Sequence, residues 1–431
     1  MGEAGGRLSG NSPSRTLHGG AGKTSPPAFA ASYLRNFSRS LFVFCFEGDP
    51  HGLSHPFQKA KLLPSVYAKM NKVRGALPID KSKISRILIR ATNWVGDAVM
   101  SMPAFEAVRE NFPESHITVL ARPWVLPLYE SHPAVNEVIP YKRGHGVWKD
   151  SSEFLRVIRA IRGLHFDMAV LFQNAFEAAL IARLGEIKIR VGYNTDGRGF
   201  LLSHSVVRGT EVLKLHQVEY YLTLLRAIGW DAPTRDPVLR ADPQAVTRVR
   251  AILASRGIKD QELLVGISPG AAYGPAKRWP VERFAAIGKR AIKEWGARVV
   301  VIGTEKEKEL GETLISATAP GAVNCCGMTG LGDALALIKR CQVFVSNDSG
   351  LMHVAAALNV PTIAIFGSTD PVATGPRGKN ARIVKQDMEC SPCLKPECPV
   401  GYRCLLTVQP DDVWREMEDL RRIVYTEDRP A

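Results

Sequence analysis

From Lys83 onward the chain alternates between short apolar runs and helical stretches, and this alternation limits the fold more than any other feature. Short runs rich in Val, Ile and Leu are typical of buried parallel strands, and helices between them return the chain to the same edge of a sheet. The pattern therefore predicts an α/β protein built from parallel sheets. The predicted strands are residues 84–89, 116–121, 137–140, 168–172, 190–193, 263–267, 299–302, 343–345 and 362–366.

A proline-punctuated stretch at residues 230–243 divides the pattern into two sets of βα units. We expect Rossmann-like domains at residues 83–240 and 241–431, with a ligand-binding cleft between them. Residues 1–82 are rich first in Gly, Ser and Pro and then in Lys, so they predict a basic, disordered extension. Within it, residues 57–73 have the pattern of a basic amphipathic helix, and a translation start at Met70 is the open alternative.

The turn after the first predicted strand, NWVGDAVMSMP at residues 93–103, carries one carboxylate, that of Asp97. Open α/β sheets bind ligands at the carboxyl ends of their strands, so Asp97 is a candidate catalytic group and Asn93 and Gly96 are candidate substrate contacts. The alternative is that Asp97 caps a helix. Pro103 suits the first turn of that helix and would cost about 3 kcal/mol in its interior, so we expect the helix to begin near Pro103.

Two turns in the second set also come after strands and carry chemical groups. In SPGAAYGPAKRWP, at residues 268–280, small residues precede Lys277, which is a pattern that suits a phosphate, although a solvated basic loop would look the same. In SNDSGLMH, at residues 346–353, Asp348 is either a helix cap or a ligand for sugar hydroxyls. Ser349 and Gly350 offer backbone amides, and His353 lies one turn further along the same helix face. Such a histidine is often structural.

The net charge of +14 favours an anionic partner, such as a nucleotide, a phosphorylated glycan or a membrane surface. Nucleic acid is disfavoured, because the basic residues are scattered and the aromatic signatures of common RNA-binding modules are missing. The sequence holds no run of about 18 uncharged apolar residues and no recognisable secretion signal, so we expect a cytoplasmic protein.

Together, the motifs at residues 93–103, 269–280 and 346–371 resemble those of the ADP-heptose:lipopolysaccharide heptosyltransferases, most closely the heptosyltransferase II branch. The resemblance runs from about Lys83 to Leu420 and leaves residues 1–82 unexplained. It implies a GT-B fold, in which the second Rossmann-like domain binds ADP-heptose and the first binds lipid A-Kdo2-heptose, with peripheral contact to the inner leaflet of the inner membrane.

The resemblance also implies roles for individual residues. Asp97 matches the catalytic base of an inverting transfer, and Lys277 matches a contact to the donor phosphates. The donor-binding turn corresponds to Asp348, Ser349, Gly350 and His353, and the base and ribose contacts to Thr304, Met328 and Thr329.

No Asp-x-Asp triplet occurs in the chain, so we predict transfer without a metal or another cofactor. The alternatives are heptosyltransferase I or another transferase of the lipopolysaccharide core. A dinucleotide-dependent oxidoreductase, from a different class, is disfavoured because G-x-G-x-x-G does not follow the first strand. A non-catalytic scaffold would tolerate Asp97→Asn.

Four cysteines are close in sequence, in ECSPCLKPECPVGYRC: Cys390, Cys393, Cys398 and Cys404. A CxxC pair followed by two more cysteines suggests zinc, but structural zinc sites usually gather their pairs from more separated positions. Reduced structural thiols are the favoured interpretation, and disulfides are disfavoured in the cytoplasm.

Overall fold

The computed structural model describes residues 73–74, 78–142, 151–318 and 320–427, and these form two sheets flanked by helices. The strands of the first sheet are β1 (Val73–Arg74), β2 (Arg86–Arg90), β3 (His116–Ala121), β4 (Glu137–Pro140), β5 (Met168–Leu171), β6 (Ile189–Tyr193) and β7 (His204–Val206). Those of the second sheet are β8 (Leu264–Ser268), β9 (Arg298–Val301), β10 (Ala322–Asn324), β11 (Val343–Asn347), β12 (Thr362–Ile365) and β13 (Ala381–Val384).

Helices connect most of these strands. The α-helices are α1 (Val95–Asn111), α2 (Pro127–Glu130), α3 (Ser151–Leu164), α4 (Phe176–Leu184), α5 (Thr210–Leu213), α6 (Gln217–Ala227), α7 (Pro243–Ser255), α8 (Val281–Trp295), α9 (Lys308–Thr318), α10 (Leu331–Arg340), α11 (Gly350–Ala357), α12 (Pro371–Thr374), α13 (Arg403–Leu406) and α14 (Pro410–Glu427). Short 3-10 helices span Lys81–Lys83, Pro123–Val125, Arg198–Leu201, Pro275–Lys277 and Glu305–Glu307. No helix of the described residues is long and apolar enough to cross a membrane.

Both sheets have a doubly wound topology. The first has the strand order β1-β7-β6-β5-β2-β3-β4 and the second has the order β10-β9-β8-β11-β12-β13. Within the described residues only the pairing of β1 with β7 is antiparallel. Apart from β1, which pairs at the edge of the first sheet, the chain starts in the middle of each sheet, runs to one edge and then crosses to the other side. The order in which strands are added to the sheet reverses between β2 and β5 and between β8 and β11. Ligands bind at such switch points in open α/β sheets.

The predicted strands are confirmed to within two residues at each end. The prediction missed β1, β7, β10 and β13. The predicted domain boundary at residues 240–241 falls between the two sheets. Most of the predicted extension and residues 57–72 of its amphipathic helix lie outside the described residues, but Val73, the last residue of that helix, lies in β1 instead.

The first helix begins earlier than the sequence predicts. It starts at Val95, and Pro103 lies inside it, so the expectation of a start near Pro103 was wrong. The side chains of Val99, Met102 and Phe105 are at most 1% exposed. Full burial of each such side chain contributes about 1.5–3 kcal/mol, which together exceeds the roughly 3 kcal/mol that an interior proline costs. As a result, Asp97 lies within the first turn of α1 and not in a loop before it.

Contacts between helices of the two halves set the position of this turn. The beginning of α1 packs against the beginning of α11. Further along, Nε2 of His216 donates a hydrogen bond to the carbonyl oxygen of Gly375 over 2.8 Å. The backbone N–H of Leu239, which lies in the linker between the sheets, donates to the carbonyl of Ala357 at 2.9 Å. The two sheets are therefore joined through polar contacts as well as through the linker.

Candidate active site

The two predicted catalytic residues, Asp97 and Lys277, and the predicted substrate-binding residue Asp348 lie beyond the carboxyl ends of three strands. Asp97 comes after β2, Lys277 ends the 3-10 turn that comes after β8, and Asp348 is the first residue after β11. Because β8 and β11 are hydrogen-bonded neighbours on either side of a switch point, the turns at their carboxyl ends meet at one edge of the second sheet. The topology therefore brings together Lys277 and Asp348, which are far apart in sequence.

Lys277 and Asp348 form a buried ion pair. Nζ of Lys277 lies 2.5 Å from Oδ2 of Asp348, and the two side chains are 14% and 5% exposed. The hydroxyl of Thr369 donates a hydrogen bond to the same carboxylate oxygen over 2.5 Å. Removing two charges from water is costly, and only close geometry with an additional hydrogen bond offsets that cost. The pair therefore fixes the lysine ammonium at this edge of the sheet.

This geometry excludes one of the two interpretations of Asp348, that of a helix cap. Ser349 occupies the N-cap position of α11, and the Asp348 side chain turns to Lys277 and Thr369 instead. Asp348 is therefore not the cap. Thr369, which lies four residues beyond the end of β12, is one of its hydrogen-bond donors.

The Asp97 carboxyl group has an unusual proton affinity. Trp94 occupies the N-cap position of α1, so Asp97 is not the capping residue. Burial disfavours the charged form and raises the pKa of Asp97 to about 6, while the positive charge of Lys277 acts in the opposite direction. A carboxylate with a pKa near 6 is a stronger base than an ordinary aspartate and is still ionised at neutral pH.

The N-terminal ends of α1 and α11 meet beside this carboxylate. A β-carbon at Gly350 would lie 2.8 Å from Cβ of Val95, closer than side chains approach one another. Gly96 faces the ring of His353, and a β-carbon on Gly96 would lie 3.0 Å from its Cδ2. Glycine at both positions lets the two helix ends approach closely. Helix N-termini carry partial positive charge, so their convergence favours an anionic ligand.

His353 is buried and uncharged at neutral pH. Burial, together with the nearby charge of Lys277, lowers the pKa of His353 to about 3. The sequence placed His353 at the same site as Ser349, and the structure adds that its ring packs on Gly96 of the opposite half. A neutral imidazole at this position adds a polar group without a second positive charge.

Hydrogen bonds hold the turn before α1. The amide oxygen of Asn93 accepts a hydrogen bond from the Arg90 guanidinium over 3.2 Å, and its backbone carbonyl accepts one from Nε1 of Trp124 over 2.8 Å. Trp94 and Trp124 are 66% and 56% exposed. These two tryptophans were not predicted as part of the site. Both lie just beyond the carboxyl end of a strand, and that position was the sequence signal that identified Asp97.

The predicted base and ribose contacts lie along the same edge, beyond β8. Thr304 lies after β9, and Met328 and Thr329 lie after β10. The hydroxyl of Thr304 donates to Oε2 of Glu307 over 2.9 Å, and the two residues also form a capping box. Sδ of Met328 lies 3.4 Å from the Arg256 guanidinium. The structure thus places these residues beyond the carboxyl ends of β9 and β10, and their roles toward a nucleotide stay a prediction.

The cysteine-rich segment, residues 389–404, contacts the loop that carries Lys277. Cys390 is exposed, Cys393 and Cys398 are half-buried, Cys404 is buried, and all four are free thiols. The backbone N–H of Tyr402 donates to Sγ of Cys398 over 3.1 Å. Across the described residues, no group of three or more His, Cys, Asp or Glu side chains is arranged to hold a metal ion.

Comparison with known proteins identifies the family. Residues 154–402 match glycosyltransferase family 9 (heptosyltransferase). The chain is 33% identical to lipopolysaccharide heptosyltransferase 2 of Salmonella typhimurium, over 78% of this chain and 98% of that protein. It is 32% identical to lipopolysaccharide heptosyltransferase 2 of Escherichia coli, over 78% of this chain and 98% of the relative.

A solved structure supports the same assignment. The structure of E. coli ADP-heptose lps heptosyltransferase II superimposes with a TM-score of 0.68 at 29% identity, covering 79% of this chain and 99% of that one. The prediction of a GT-B fold is thereby confirmed. The chain belongs to glycosyltransferase family 9, the heptosyltransferase family, and is a glycosyltransferase.

Proposed function

We propose that this enzyme transfers L-glycero-D-manno-heptose from ADP-heptose to lipid A-Kdo2-heptose, the heptosylated inner core of lipopolysaccharide. The similarity to proteins named lipopolysaccharide heptosyltransferase 2 supports the substrate class. Membership of the family argues against the oxidoreductase alternative. The observation that carries the mechanism is the partly buried Asp97, whose raised pKa and position beside Lys277 suit a general base at an anionic donor site.

In this mechanism Asp97 accepts the proton of the attacking acceptor hydroxyl. The oxygen then bonds to the anomeric carbon of heptose from the face opposite ADP, the bond to the diphosphate oxygen breaks, and the configuration is inverted. General-base catalysis of this kind contributes typically ~10²–10⁴-fold to the rate. The anomeric configuration of the product, read by NMR, tests the inversion.

The developing charge on the departing diphosphate needs a fixed positive partner. Lys277 fills that role, because its pair with Asp348 holds the ammonium in place before substrate binds. Backbone amides of Ser349 and Gly350, at the N-terminal end of α11, add to the same field. Loss of one such preorganised donor costs roughly 10²–10³-fold in rate.

Contacts to substrate are assigned from the placement of the other residues. In this proposal Asn93 and Gly96 contact the acceptor, and Asp348 and His353 contact the donor. Thr304, Met328 and Thr329 hold the adenosine. The net charge of +14 favours peripheral contact with the anionic inner leaflet, from which the lipid-anchored acceptor is reached.

A direct assay tests the proposal. The purified chain is incubated without added metal with ADP-heptose and either Kdo2-lipid A or its mono-heptosylated form, and ADP release and product mass are recorded. Transfer only to the mono-heptosylated acceptor, lost in Asp97→Asn, supports the proposal. Transfer to the unheptosylated acceptor identifies a heptosyltransferase I activity instead. Loss of turnover with a chelator and its return with magnesium would contradict metal-independent transfer.

A further inference from the structure

The ring of Tyr273 lies beneath the ammonium group of Lys277. Nζ of Lys277 is 4.8 Å from the centroid of the Tyr273 ring. A lysine ammonium this close to an aromatic face is attracted by the ring quadrupole, and the attraction strengthens where water is excluded. Lys277 therefore has two partners within the protein, the Asp348 carboxylate and the Tyr273 ring.

Tyr273 itself is held by the cysteine-rich segment. Its hydroxyl donates a hydrogen bond to the carbonyl oxygen of Leu394 over 2.6 Å. Burial raises the pKa of Tyr273, so the phenol keeps the proton that it donates. The same ring thus faces Lys277 with its π surface and Leu394 with its hydroxyl.

The backbone on both sides of Tyr273 contacts the same segment. The N–H of Ala276 donates to the carbonyl of Pro396 over 3.0 Å. Gly274 has φ of 149°, and a β-carbon there would collide with the carbonyl oxygen of Pro396. Only glycine fits at this conformation and this distance. The loop that carries Lys277 therefore rests directly on the segment.

A second loop of the site is attached to the same few residues. The N–H of Leu394 donates to the carbonyl of Ser368 over 2.8 Å. Oγ of Ser391 donates to the carbonyl of Gly367 over 2.7 Å. Thr369, which directly follows Ser368, donates a hydrogen bond from its hydroxyl to Asp348. Residues 391–396 thus contact the loop that supplies Lys277 and the loop that supplies Thr369, the hydrogen-bond donor to Asp348.

We propose that Tyr273 is a positioning residue, whose ring contacts residues 391–396 through its hydroxyl and sets the place of the Lys277 ammonium for the donor diphosphate. This inference deepens the proposed function and rests on the role proposed there for Lys277. Tyr273 acts through Lys277. The expected signature is a weaker interaction with ADP and with ADP-heptose, while the interaction with the acceptor stays the same.

Tyr273→Phe, which keeps the ring, and Tyr273→Leu, which removes it, separate this role from simple packing. We expect Tyr273→Leu to raise the KM for ADP-heptose and the Kd for ADP by about 3- to 30-fold, the effect of one cation–π contact. Tyr273→Phe should restore most of that loss. The KM for the acceptor should stay unchanged in both variants. Equal affinities of the Phe and Leu variants for ADP would overturn the inference.

Trp295→Leu is the matched control. The Trp295 ring lies 4.7 Å from the Arg421 guanidinium, remote from the proposed site, so this change removes a comparable contact elsewhere. It should leave the Kd for ADP unchanged. A similar loss of ADP affinity in Trp295→Leu would show that any destabilising substitution has this effect, and would overturn the positioning role.

Lys277→Met separates failure of this inference from failure of the proposed function. If Lys277→Met weakens ADP binding and Tyr273→Leu does not, the inference fails alone. If Lys277→Met leaves ADP affinity unchanged, the role of Lys277 fails and the inference fails with it. Calorimetric titration with ADP gives each of these results without requiring turnover.

Discussion

The two sheets have the same doubly wound topology, and charged residues lie in turns at the carboxyl ends of strands in both. The surroundings of those charges differ between the turn after β2 and the turns after β8 and β11. After β2, burial raises the pKa of Asp97 to about 6. After β8 and β11, the Asp348 carboxylate holds the Lys277 ammonium in place, with Oδ2 2.5 Å from Nζ. One topology therefore supplies a carboxylate suited to accept a proton in one half, and a fixed charge suited to hold an anion in the other.

The largest expected effect comes from removing the carboxylate of the first half. Asp97→Asn should lower kcat by roughly 10²–10⁴-fold, because the amide cannot accept the acceptor proton. The same change should raise the melting temperature above pH 6, since folding no longer places a charged group in a buried position.

The predictions for kcat and for melting temperature both need a control substitution at another aspartate. Asp242 caps α7, outside the proposed site, and Asn is an equally good capping residue, so Asp242→Asn should alter neither activity nor melting temperature. An Asp97→Asn enzyme with kcat near that of the wild type would remove Asp97 from the mechanism.

The next effect tests the ion pair of the second half. Asp348→Asn leaves the Lys277 ammonium, which is 14% exposed, without its counter-charge. The free energy of unfolding in urea should fall by about 3–5 kcal/mol, as when one partner of a buried pair is removed.

An exposed pair provides the comparison. Asp260→Asn removes a contact to Arg250 in which the side chains are 61% and 65% exposed, and it should cost at most about 1 kcal/mol. An equal loss of unfolding free energy in Asp348→Asn and Asp260→Asn would mean that the Lys277–Asp348 pair contributes no more to stability than an exposed pair.

A smaller effect is expected where the two halves meet. Gly350→Ala places a β-carbon against Cβ of Val95 and should cost about 1–3 kcal/mol through overpacking, measured by urea unfolding. In contrast, a β-carbon at Gly332 in α10 would meet only Pro127, at an ordinary 3.5 Å. Gly332→Ala should leave stability unchanged or raise it by up to about 1 kcal/mol. Equal stabilities of the two variants would contradict the close approach of α1 and α11.

The sequence predicted nine strands of the described residues well, including the edge strand β4, and missed four strands of two to four residues. Strands β3 and β4 have the bounds that their apolar runs predict. Strands β10 and β13 were missed, because they are short and mostly half-buried at the sheet edges, so their apolar signal is weak. Pro103 misled the assignment of the start of α1, because local propensity gave way to burial of the helix in the core.

The site shows the same division between local and tertiary information. Asp97 and Lys277 were identified by their position in a turn at the end of a strand, and that information is local. The Lys277–Asp348 pair and the Tyr273 ring beneath Lys277 depend on how distant segments meet, and no spacing in the sequence encodes that. The raised pKa of Asp97 likewise results from tertiary burial.

The pH dependence of kcat/KM tests the central claim most directly, because it reports the protonation of the base in the free enzyme. For the wild type we predict an acid limb with a pKa of about 6, below which activity falls as Asp97 becomes protonated. Lys277→Met removes the charge that lowers this pKa, so its acid limb should move to higher pH, whereas Lys277→Arg should keep it near that of the wild type. An acid limb that stays in place when the charge at position 277 is removed, or that persists in Asp97→Asn, would contradict the account.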